Sequence, residues 1–341
     1  MKVCIVGLGA IGGLIAGWLG TRLPAPQAAT LQLSALARGE TLAAVQRHGL
    51  RLDTAEGSVA VPLRASDDAA ALGPQDLVVV AVKGPALAAV APAVAALCGP
   101  RTAVLAAMNG VPWWFFEQLP GPCQGLALES VDPGGTVRRC IPAERVIGCV
   151  VHLSSAVVAP GRVRHVNGQG LILGLAGGGS DGRLQTAATL LSNAGFVVTL
   201  SERIQREVWF KLWGNMTMNP ISALTGATCD RILDDPLVRN FCSAVMLEAQ
   251  AIGAAFGIPI EQRPEERHAV TRKLGAFKTS MLQDVEAGRP LEIDALLGAV
   301  REIGGHVGIA TPNVDALFGL VRLMAATRGL GAAAPPALPG A

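Results

Sequence analysis

The chain has 341 residues, which is enough for two domains of ordinary size. Half of the residues are hydrophobic and 16% are charged, so a large core can form. The 28 basic and 26 acidic residues give a net charge of +2, which argues against the basic surface of a nucleic-acid-binding protein. Seven cysteines form no CxxC pair and five histidines form no HExxH motif, so we expect no dedicated metal site, no disulfide framework and a reducing compartment.

Two apolar stretches resemble membrane segments in their hydrophobicity. Residues 4–20 follow a single basic residue, and their glycines fall in a motif that explains them better than a signal peptide does. Residues 77–99 are interrupted by Lys83, Pro85 and Pro92, which a bilayer-spanning helix would not carry. We therefore expect no membrane segment and a cytoplasmic protein.

Short β-branched runs alternate with alanine-rich stretches through the first half of the chain. Strands are predicted for KVCIVGLG, LQLSALAR, DLVVVAVK and TAVLAAMNG, and helices for AIGGLIAGWLG, GETLAAVQRHG and GPALAAVAPAVAAL. Continuous apolar strands that alternate with helices are typical of a parallel sheet covered on both faces. Three further runs between residues 145 and 200, ending with GFVVTLS, predict an antiparallel extension of this sheet. The sequence GGGSDG at 177–182 is interpreted as a hairpin loop.

The periodicity of the sequence changes near residue 200. From Glu202 onward it is helical, with breaks at Pro220, 257–259, 288–290 and Pro312. The predicted fold class is therefore α/β, with a Rossmann-type dinucleotide-binding domain at 1–200 and a second, all-helical domain at 201–328. The last residues, 329–341, offer little to bury and are expected to form a disordered tail.

A G-x-G-x-x-G motif follows the first predicted strand directly and opens the first predicted helix. It consists of Gly7, Leu8, Gly9, Ala10, Ile11 and Gly12. In a dinucleotide-binding fold the first glycine permits a tight turn, the second lets backbone amides approach a pyrophosphate, and the third lets the helix pack close to the strand. The motif alone also fits a glycine-rich packing turn, so the prediction of dinucleotide binding rests on its place between strand and helix.

Three polar residues end predicted strands on the side where open α/β sheets bind ligands. Arg38 ends the second strand, with Glu40 beyond the turn. A cation at that point suits the 2′-phosphate of NADPH, whereas an acidic residue would suit the ribose hydroxyl of NADH. Lys83 and Asn109 end two later strands, where they could meet the same cofactor. A solvated lysine and a simple Asn-Gly turn are the alternatives.

The segment 209–226, WFKLWGNMTMNPISALTG, carries a polar stripe inside an apolar helix. Lys211, Asn215 and Asn219 are spaced four apart, so on a helix each step rotates by about 40° and the three side chains form one stripe. Trp and Met residues flank the stripe on both sides, and buried polar groups need partners. The stripe is therefore interpreted as facing a ligand, with a solvated helix face as the alternative.

Five segments carry a resemblance to a known family: GLGAIG at 7–12, VAVK ending at Lys83, NG at 109–110, KLWGNMTMNPISAL at 211–224 and SMLQDVEAGRPLEID at 280–294. With these segments the chain resembles the ketopantoate reductase (2-dehydropantoate 2-reductase) family over nearly its whole length. The resemblance implies a Rossmann-type domain followed by a helical domain like the C-terminal domain of 6-phosphogluconate dehydrogenase, with the active site in the cleft between them. It also implies NADPH-dependent reduction of 2-dehydropantoate to pantoate, a step of pantothenate biosynthesis.

The resemblance implies a role for each matching residue. Lys211 would be the general acid, and Glu292 would lie beside it and the cofactor. Asn215 and Asn219 would bind the substrate, and Ser280 its carboxylate. The cofactor would be held by Gly7, Leu8, Gly9, Ala10, Ile11, Gly12, Arg38, Lys83 and Asn109, with Ser154 near the nicotinamide. The partner implied is a small 2-keto acid, and the sequence leaves a homodimer open.

Departures from the family pattern concern the substrate. Ala86 stands where Gln is usual three residues after Lys83, and Cys229 stands where some members have Asn. The bulky run WWFF at 113–116 motivates an alternative function, a reductase of another branched or aromatic 2-keto acid. A non-catalytic NADPH-binding sensor is a further alternative, against which the joint presence of the stripe, Ser280 and Glu292 argues.

Overall fold

Strands and helices alternate through the first 200 residues of the structure, a computed structural model that describes residues 1–331. The strands are β1 (Lys2–Val6), β2 (Gln32–Leu36), β3 (Leu50–Thr54), β4 (Gly57–Val61), β5 (Arg64–Ser66), β6 (Gln75–Val80), β7 (Cys98–Ala107), β8 (Val146–Ala159), β9 (Arg162–Leu175) and β10 (Val197–Leu200). The helices of this region are α1 (Ala10–Arg22), α2 (Ala25–Ala28), α3 (Gly39–His48), α4 (Ala69–Leu72), α5 (Gly84–Ala96), α6 (Thr136–Cys140) and α7 (Gly182–Asn193).

The ten strands form one sheet. Their order is β4-β3-β9-β8-β7-β6-β1-β2-β5, with β10 beside β9. The five strands β2, β1, β6, β7 and β8 are parallel neighbours, as the continuous apolar runs predicted. Strands β8 and β9 form a long antiparallel hairpin, which agrees with the predicted extension of the sheet. The predicted α/β fold class with a Rossmann-type sheet is confirmed.

Apolar side chains cover both faces of the sheet. Along β1, Val3 and Ile5 belong to one buried cluster, which includes Trp18 of α1. The alternate residues Cys4 and Val6 belong to a second buried cluster, which includes Trp114. Because successive side chains of a strand point to opposite faces, the two clusters lie on opposite sides of β1. The central strands are therefore buried on both faces.

The edges of the sheet differ from the prediction in two places. Strands β3 and β4 form an antiparallel hairpin that was not predicted, and β3 pairs in parallel with the first part of β9. The Nε of Arg162 donates to Asp53 Oδ2 at 2.9 Å across this pairing. The run GFVVTLS forms β10, which pairs with β9 in parallel and not antiparallel fashion, because helix α7 carries the chain back across the sheet between them.

The interpretation of GGGSDG as a hairpin loop is wrong. This segment joins β9 to α7 and so links a strand to a helix. Its Asp181 is the N-cap of α7, where the carboxylate accepts hydrogen bonds from the backbone N–H groups of Arg183 and Leu184, each at 2.9 Å. An aspartate just before an alanine- and leucine-rich run is the sequence signal for a helix start.

Residues after 200 are almost entirely helical. The helices are α8 (Ile204–Thr225), α9 (Cys229–Asp234), α10 (Pro236–Ala255), α11 (Pro264–Arg272), α12 (Ser280–Glu286), α13 (Ala299–Val307) and α14 (Pro312–Thr327), and a π-helical turn at Asp294–Gly298 leads into α13. The predicted break at Pro220 is wrong, because this proline lies inside α8. Its neighbours Met216, Met218 and Ile221 are buried, and their packing offsets the cost of about 3 kcal/mol that a proline imposes on a helix interior. No helix within residues 1–331 is long and apolar enough to cross a membrane.

The chain divides into two compact units. The first contains Met1–Pro120 and Gln124–Val208, and the second contains Gly121–Cys123 together with the chain from Trp209 onward. The predicted boundary near residue 200 coincides with the end of β10, and the division between the units lies inside α8. Residues 332–341, most of the predicted tail, lie outside the described residues. The earlier part of that predicted tail is ordered, since Leu330 is buried and its carbonyl accepts a hydrogen bond from Leu291 N at 3.2 Å.

The start of α14 is capped from another helix. Glu248 of α10 accepts hydrogen bonds from the backbone N–H of Asn313 at 2.9 Å, from Asn313 Nδ2 at 2.6 Å and from the backbone N–H of Val314 at 2.9 Å. We expect Glu248→Ala to lower the free energy of unfolding by about 2 kcal/mol, because three donors at a helix N-terminus lose their acceptor. Urea denaturation checks this, with Glu261→Ala, which removes an exposed carboxylate, as the control. Equal stability of the two variants would contradict the capping role.

Candidate functional site

Four loops that carry predicted cofactor residues lie along one edge of the sheet. Strands β7, β6, β1 and β2 are neighbours in that order and run parallel, so their carboxyl ends point the same way. Asn109 follows β7, Lys83 follows β6, the glycine motif follows β1 and Arg38 follows β2. This is the edge at which open α/β sheets bind ligands.

The glycine motif has the backbone geometry that a phosphate group requires. Gly7 has a φ of +93°, and Gly9 is the N-cap of α1, whose N-terminus no side chain caps. A Cβ on Gly12 would overlap the carbonyl oxygen of Gly7, whereas a Cβ on Gly9 would meet no heavy atom within 4 Å. The turn therefore packs tightly at Gly12 and leaves open space at Gly9, in front of N–H groups with no side-chain acceptor. These residues fit a bound pyrophosphate.

The residue that would select the cofactor is exposed. Arg38 directly precedes α3 with an extended backbone, and its side chain is exposed, as is that of Glu40 in the first turn of the helix. The guanidinium of Arg38 is therefore accessible to an anionic group. Glu40 lies two residues further along, inside the helix, and not at the tip of the strand.

The other predicted cofactor residues continue this edge. Lys83 is the N-cap of α5 and is half-buried, as is Asn109. Strand β8 pairs in parallel with β7 as far as Cys149, opposite Ala107, and then continues to Ala159. Ser154 is therefore beyond the end of β7, on the side where Asn109 lies.

The polar stripe lies on one helix, as predicted. Helix α8 spans 22 residues and carries Lys211, Asn215 and Asn219 at successive turns, about 6 Å apart along the axis. Lys211 and Asn215 are half-buried, and Asn219 is only 6% exposed. An amide in such surroundings fits a ligand hydroxyl or carbonyl.

Large apolar side chains hold this helix in place. Trp209, Leu212, Trp213 and Met216 are all at most 2% exposed. The indole Nε1 of Trp213 donates to the carbonyl of Met246 in α10 at 2.8 Å. The flanks of the stripe are thus anchored in the core, which fixes the rotation of α8 about its axis.

The two remaining predicted site residues lie on other elements of the second unit. Ser280 is the first residue of α12 and is exposed, and the adjacent Thr279 caps this helix through its Oγ1, which accepts from Leu282 N at 3.2 Å. Glu292 is half-buried and lies just before the π-helical turn. These residues therefore share a unit with the stripe but come from separate segments.

One residue of this region was missed by the sequence reasoning. Arg267 of α11 contacts the stripe helix, with its guanidinium carbon 5.2 Å from the ring centroid of Phe210. Burial lowers the pKa of Arg267. Arg267 is one of two arginines in the polar run EERHAVTR, and nothing in that run distinguishes it from a solvated side chain.

The aromatic run at 113–116 belongs to the core of the first unit. Trp113, Trp114, Phe115 and Phe116 are each at most 4% exposed. The Nε1 of Trp113 donates to the carbonyl of Ile141 at 3.0 Å, and the rings of Phe115 and Phe116 pack edge to face. These rings are therefore structural, and the observation that motivated an aromatic substrate no longer supports it. Within residues 1–331 no three His, Cys, Asp or Glu side chains are placed to hold a metal ion.

Two family models match the chain. The model described as Ketopantoate reductase PanE/ApbA matches residues 3–178, and the model described as Ketopantoate reductase PanE/ApbA C terminal matches residues 203–325. Together they cover the sheet-containing and the helical parts.

Known proteins match nearly the whole chain. The 2-dehydropantoate 2-reductase of Mesorhizobium japonicum is 44% identical over 330 residues, which are 96% of this chain and 99% of that protein. A crystal structure from Ralstonia solanacearum MolK2, described provisionally as a ketopantoate reductase, is 58% identical with a TM-score of 0.91, and the match covers 96% of this chain and 99% of that one. D-mandelate dehydrogenase, in a ternary structure with NADH and anilino(oxo)acetate, has a TM-score of 0.80 at 20% identity over 97% of this chain and 100% of that one, which shows a shared fold.

Proposed function

The chain belongs to the ketopantoate reductase family and is an oxidoreductase acting on CH–OH groups. On this premise we propose that it reduces 2-dehydropantoate to pantoate with NADPH. The 44% identity to the Mesorhizobium japonicum enzyme supports the substrate. The observation that carries the proposal is the stripe, which places an ammonium and two amides on a helix whose flanks are buried. A non-catalytic sensor would have no use for this arrangement.

In the proposed reaction Lys211 acts as the general acid. Bound NADPH supplies the hydride that the C2 carbonyl carbon accepts. The Lys211 ammonium hydrogen-bonds the carbonyl oxygen, stabilises the negative charge that develops there and donates its proton to it, so that a hydroxyl group forms. Asn215 and Asn219 bind polar groups of the substrate and fix which face of the carbonyl is presented. We propose that Ser280 binds the carboxylate and that Glu292 orients Lys211.

The first unit would hold the cofactor. Backbone N–H groups of residues 7–12 would hold the pyrophosphate, for which the open space at Gly9 leaves room. We propose that Lys83 and Asn109, at neighbouring strand ends, contact the same ligand, with Ser154 near the nicotinamide. Arg38 would pair with the 2′-phosphate and so select NADPH over NADH.

Substitution of Arg38 tests the choice of cofactor. We expect Arg38→Asp to lower the ratio of kcat/KM with NADPH to kcat/KM with NADH by about 10- to 100-fold, since an ionic hydrogen bond to the 2′-phosphate is replaced by repulsion. Arg47→Asp, an exposed position at the other end of α3, is the control for the change in net charge. If both variants keep the wild-type ratio, Arg38 does not read the 2′-phosphate.

The substrate is tested by following NADPH oxidation with a panel of 2-keto acids. The panel contains 2-dehydropantoate, other branched acids, an aromatic acid and a linear acid. We expect the highest kcat/KM for 2-dehydropantoate. A higher kcat/KM for another acid of the panel would show that this acid is the preferred substrate, with the same reaction chemistry. The absence of turnover with every acid would favour a non-catalytic NADPH-binding sensor. Cytoplasmic location and a homodimer stay predictions, the second of which sedimentation analysis can check.

A further inference from the structure

Arg267 is half-buried, and no carboxylate within residues 1–331 forms an ion pair with it. Its Nε has no contact with solvent and no hydrogen-bond partner, and no ion pair or hydrogen bond reaches its guanidinium from any residue within 1–331. Taking a charge out of water costs free energy, so buried arginines are normally paired with carboxylates. The missing partner of Arg267 is therefore to be sought in a ligand.

The guanidinium of Arg267 packs against Phe210 and Gly214 of α8, and this contact is called its seat below. The guanidinium carbon lies 5.2 Å from the ring centroid of Phe210. At position 214 a Cβ would lie 2.7 Å from the Nε of Arg267 and 3.0 Å from its Nη2, so a larger residue there would displace the guanidinium. Glycine in a helix interior costs about 1 kcal/mol relative to alanine. Gly214 thus lowers the stability of α8 at the point where the charge is accommodated.

The seat lies beside the polar stripe. Phe210 directly precedes Lys211, and Gly214 directly precedes Asn215. Residues three and four apart on a helix are neighbours, so Gly214 borders Lys211 on the helix surface. The guanidinium therefore lies against the face of α8 that adjoins the position of Lys211. In a 2-keto acid the carboxylate is bonded directly to the carbonyl carbon, so its two oxygen-bearing groups suit cationic side chains that come from neighbouring positions of the site.

We propose that Arg267 binds the carboxylate of the 2-keto acid substrate, an inference that rests on the proposed function. The planar guanidinium presents two parallel N–H donors that match the two oxygens of a carboxylate. The hydroxyl of Ser280 can donate one hydrogen bond to the same group but carries no charge. Arg267 thus makes the site select acids over neutral carbonyl compounds of the same shape.

The selection is measured with a substrate and its neutral form. We would determine kcat/KM for 2-dehydropantoate and for its methyl ester at saturating NADPH, or for the best acid of the panel and its ester. The wild type is expected to prefer the acid. In Arg267→Met the ratio of acid to ester falls by about 10- to 100-fold, mainly through a higher KM for the acid, because one ionic hydrogen-bonded pair is lost.

Two further variants make the result specific. Lys273→Met removes an exposed cation just after α11 and is expected to keep the wild-type ratio. Gly214→Ala keeps both charges but puts a methyl group where the guanidinium lies. The ratio of acid to ester should therefore fall as in Arg267→Met. This second variant also tests the proposal if Arg267→Met does not fold. An equal loss with acid and ester would mean that Arg267 only supports α8, and would overturn the proposal. A wild type that reduces no 2-keto acid would refute the proposed function itself.

Discussion

Lys211→Ala is expected to lower kcat by about 100-fold or more, which is the usual contribution of a general acid. The reason is that the carbonyl oxygen would lose the group that stabilises its negative charge and supplies its proton. The Kd for NADPH should stay close to the wild-type value, because the residues proposed to bind its phosphates lie in the first unit. Stopped-flow measurement of NADPH oxidation and fluorescence titration of NADPH give the two quantities.

A matched variant separates the role of this ammonium from a general effect of charge. Lys273→Ala removes an exposed lysine from the same unit and should leave kcat unchanged. Turnover of Lys211→Ala within a few-fold of the wild type would show that another group donates the proton. A loss of the far-ultraviolet helical signal would instead point to a structural role of Lys211 in α8.

Gly12→Ala and Gly9→Ala are expected to fail in different ways. A methyl group on Gly12 overlaps the carbonyl oxygen of Gly7, and backbone atoms cannot move aside, so we expect the free energy of unfolding to fall by about 3 kcal/mol. A methyl group on Gly9 meets no protein atom within 4 Å, and the φ of −74° there suits alanine. That variant should fold normally but bind NADPH at least about tenfold more weakly, because the methyl group occupies the space proposed for the pyrophosphate.

Thermal denaturation and NADPH titration of both variants distinguish these outcomes. Gly9→Ala with wild-type affinity would show that the pyrophosphate lies elsewhere. Gly12→Ala with wild-type stability would show that α1 can move away from the turn. The pair tests the cofactor loop without reference to turnover, so it is independent of the substrate.

Much of the fold was readable from the sequence, because its strongest signals are local. The strands β1, β2, β6 and β7 each contain apolar residues in short runs, and the segments after β1, β2 and β6 that were predicted to be helical form α1, α3 and α5. The hairpin of β3 and β4 was missed because its residues alternate with charged and small side chains and show no apolar run. The direction of β10 could not be read from its own residues, since it depends on the path of α7 across the sheet.

The candidate site likewise has features that the sequence predicts and features that depend on tertiary packing. The glycine motif and the stripe were readable because each lies on one element, where spacing alone sets the geometry. The buried state of WWFF and the contact of Arg267 with α8 depend on which elements pack together, and a single sequence does not specify that. Pro220 was taken as a helix end because the rule for proline weighs the local cost and not the packing of Met216 and Ile221 around it.

The pairing of β3 with β9 has a consequence for how the protein is made. On the ribosome Asp53 emerges 109 residues before Arg162, the side chain that pairs with it. Until then the inner edge of β3 stays open to strands of other chains, which is a known route to aggregation. A truncated gene product that stops near residue 150 would lack β9 and keep this edge open, so an isolated cofactor domain should be expressed at least to Leu200.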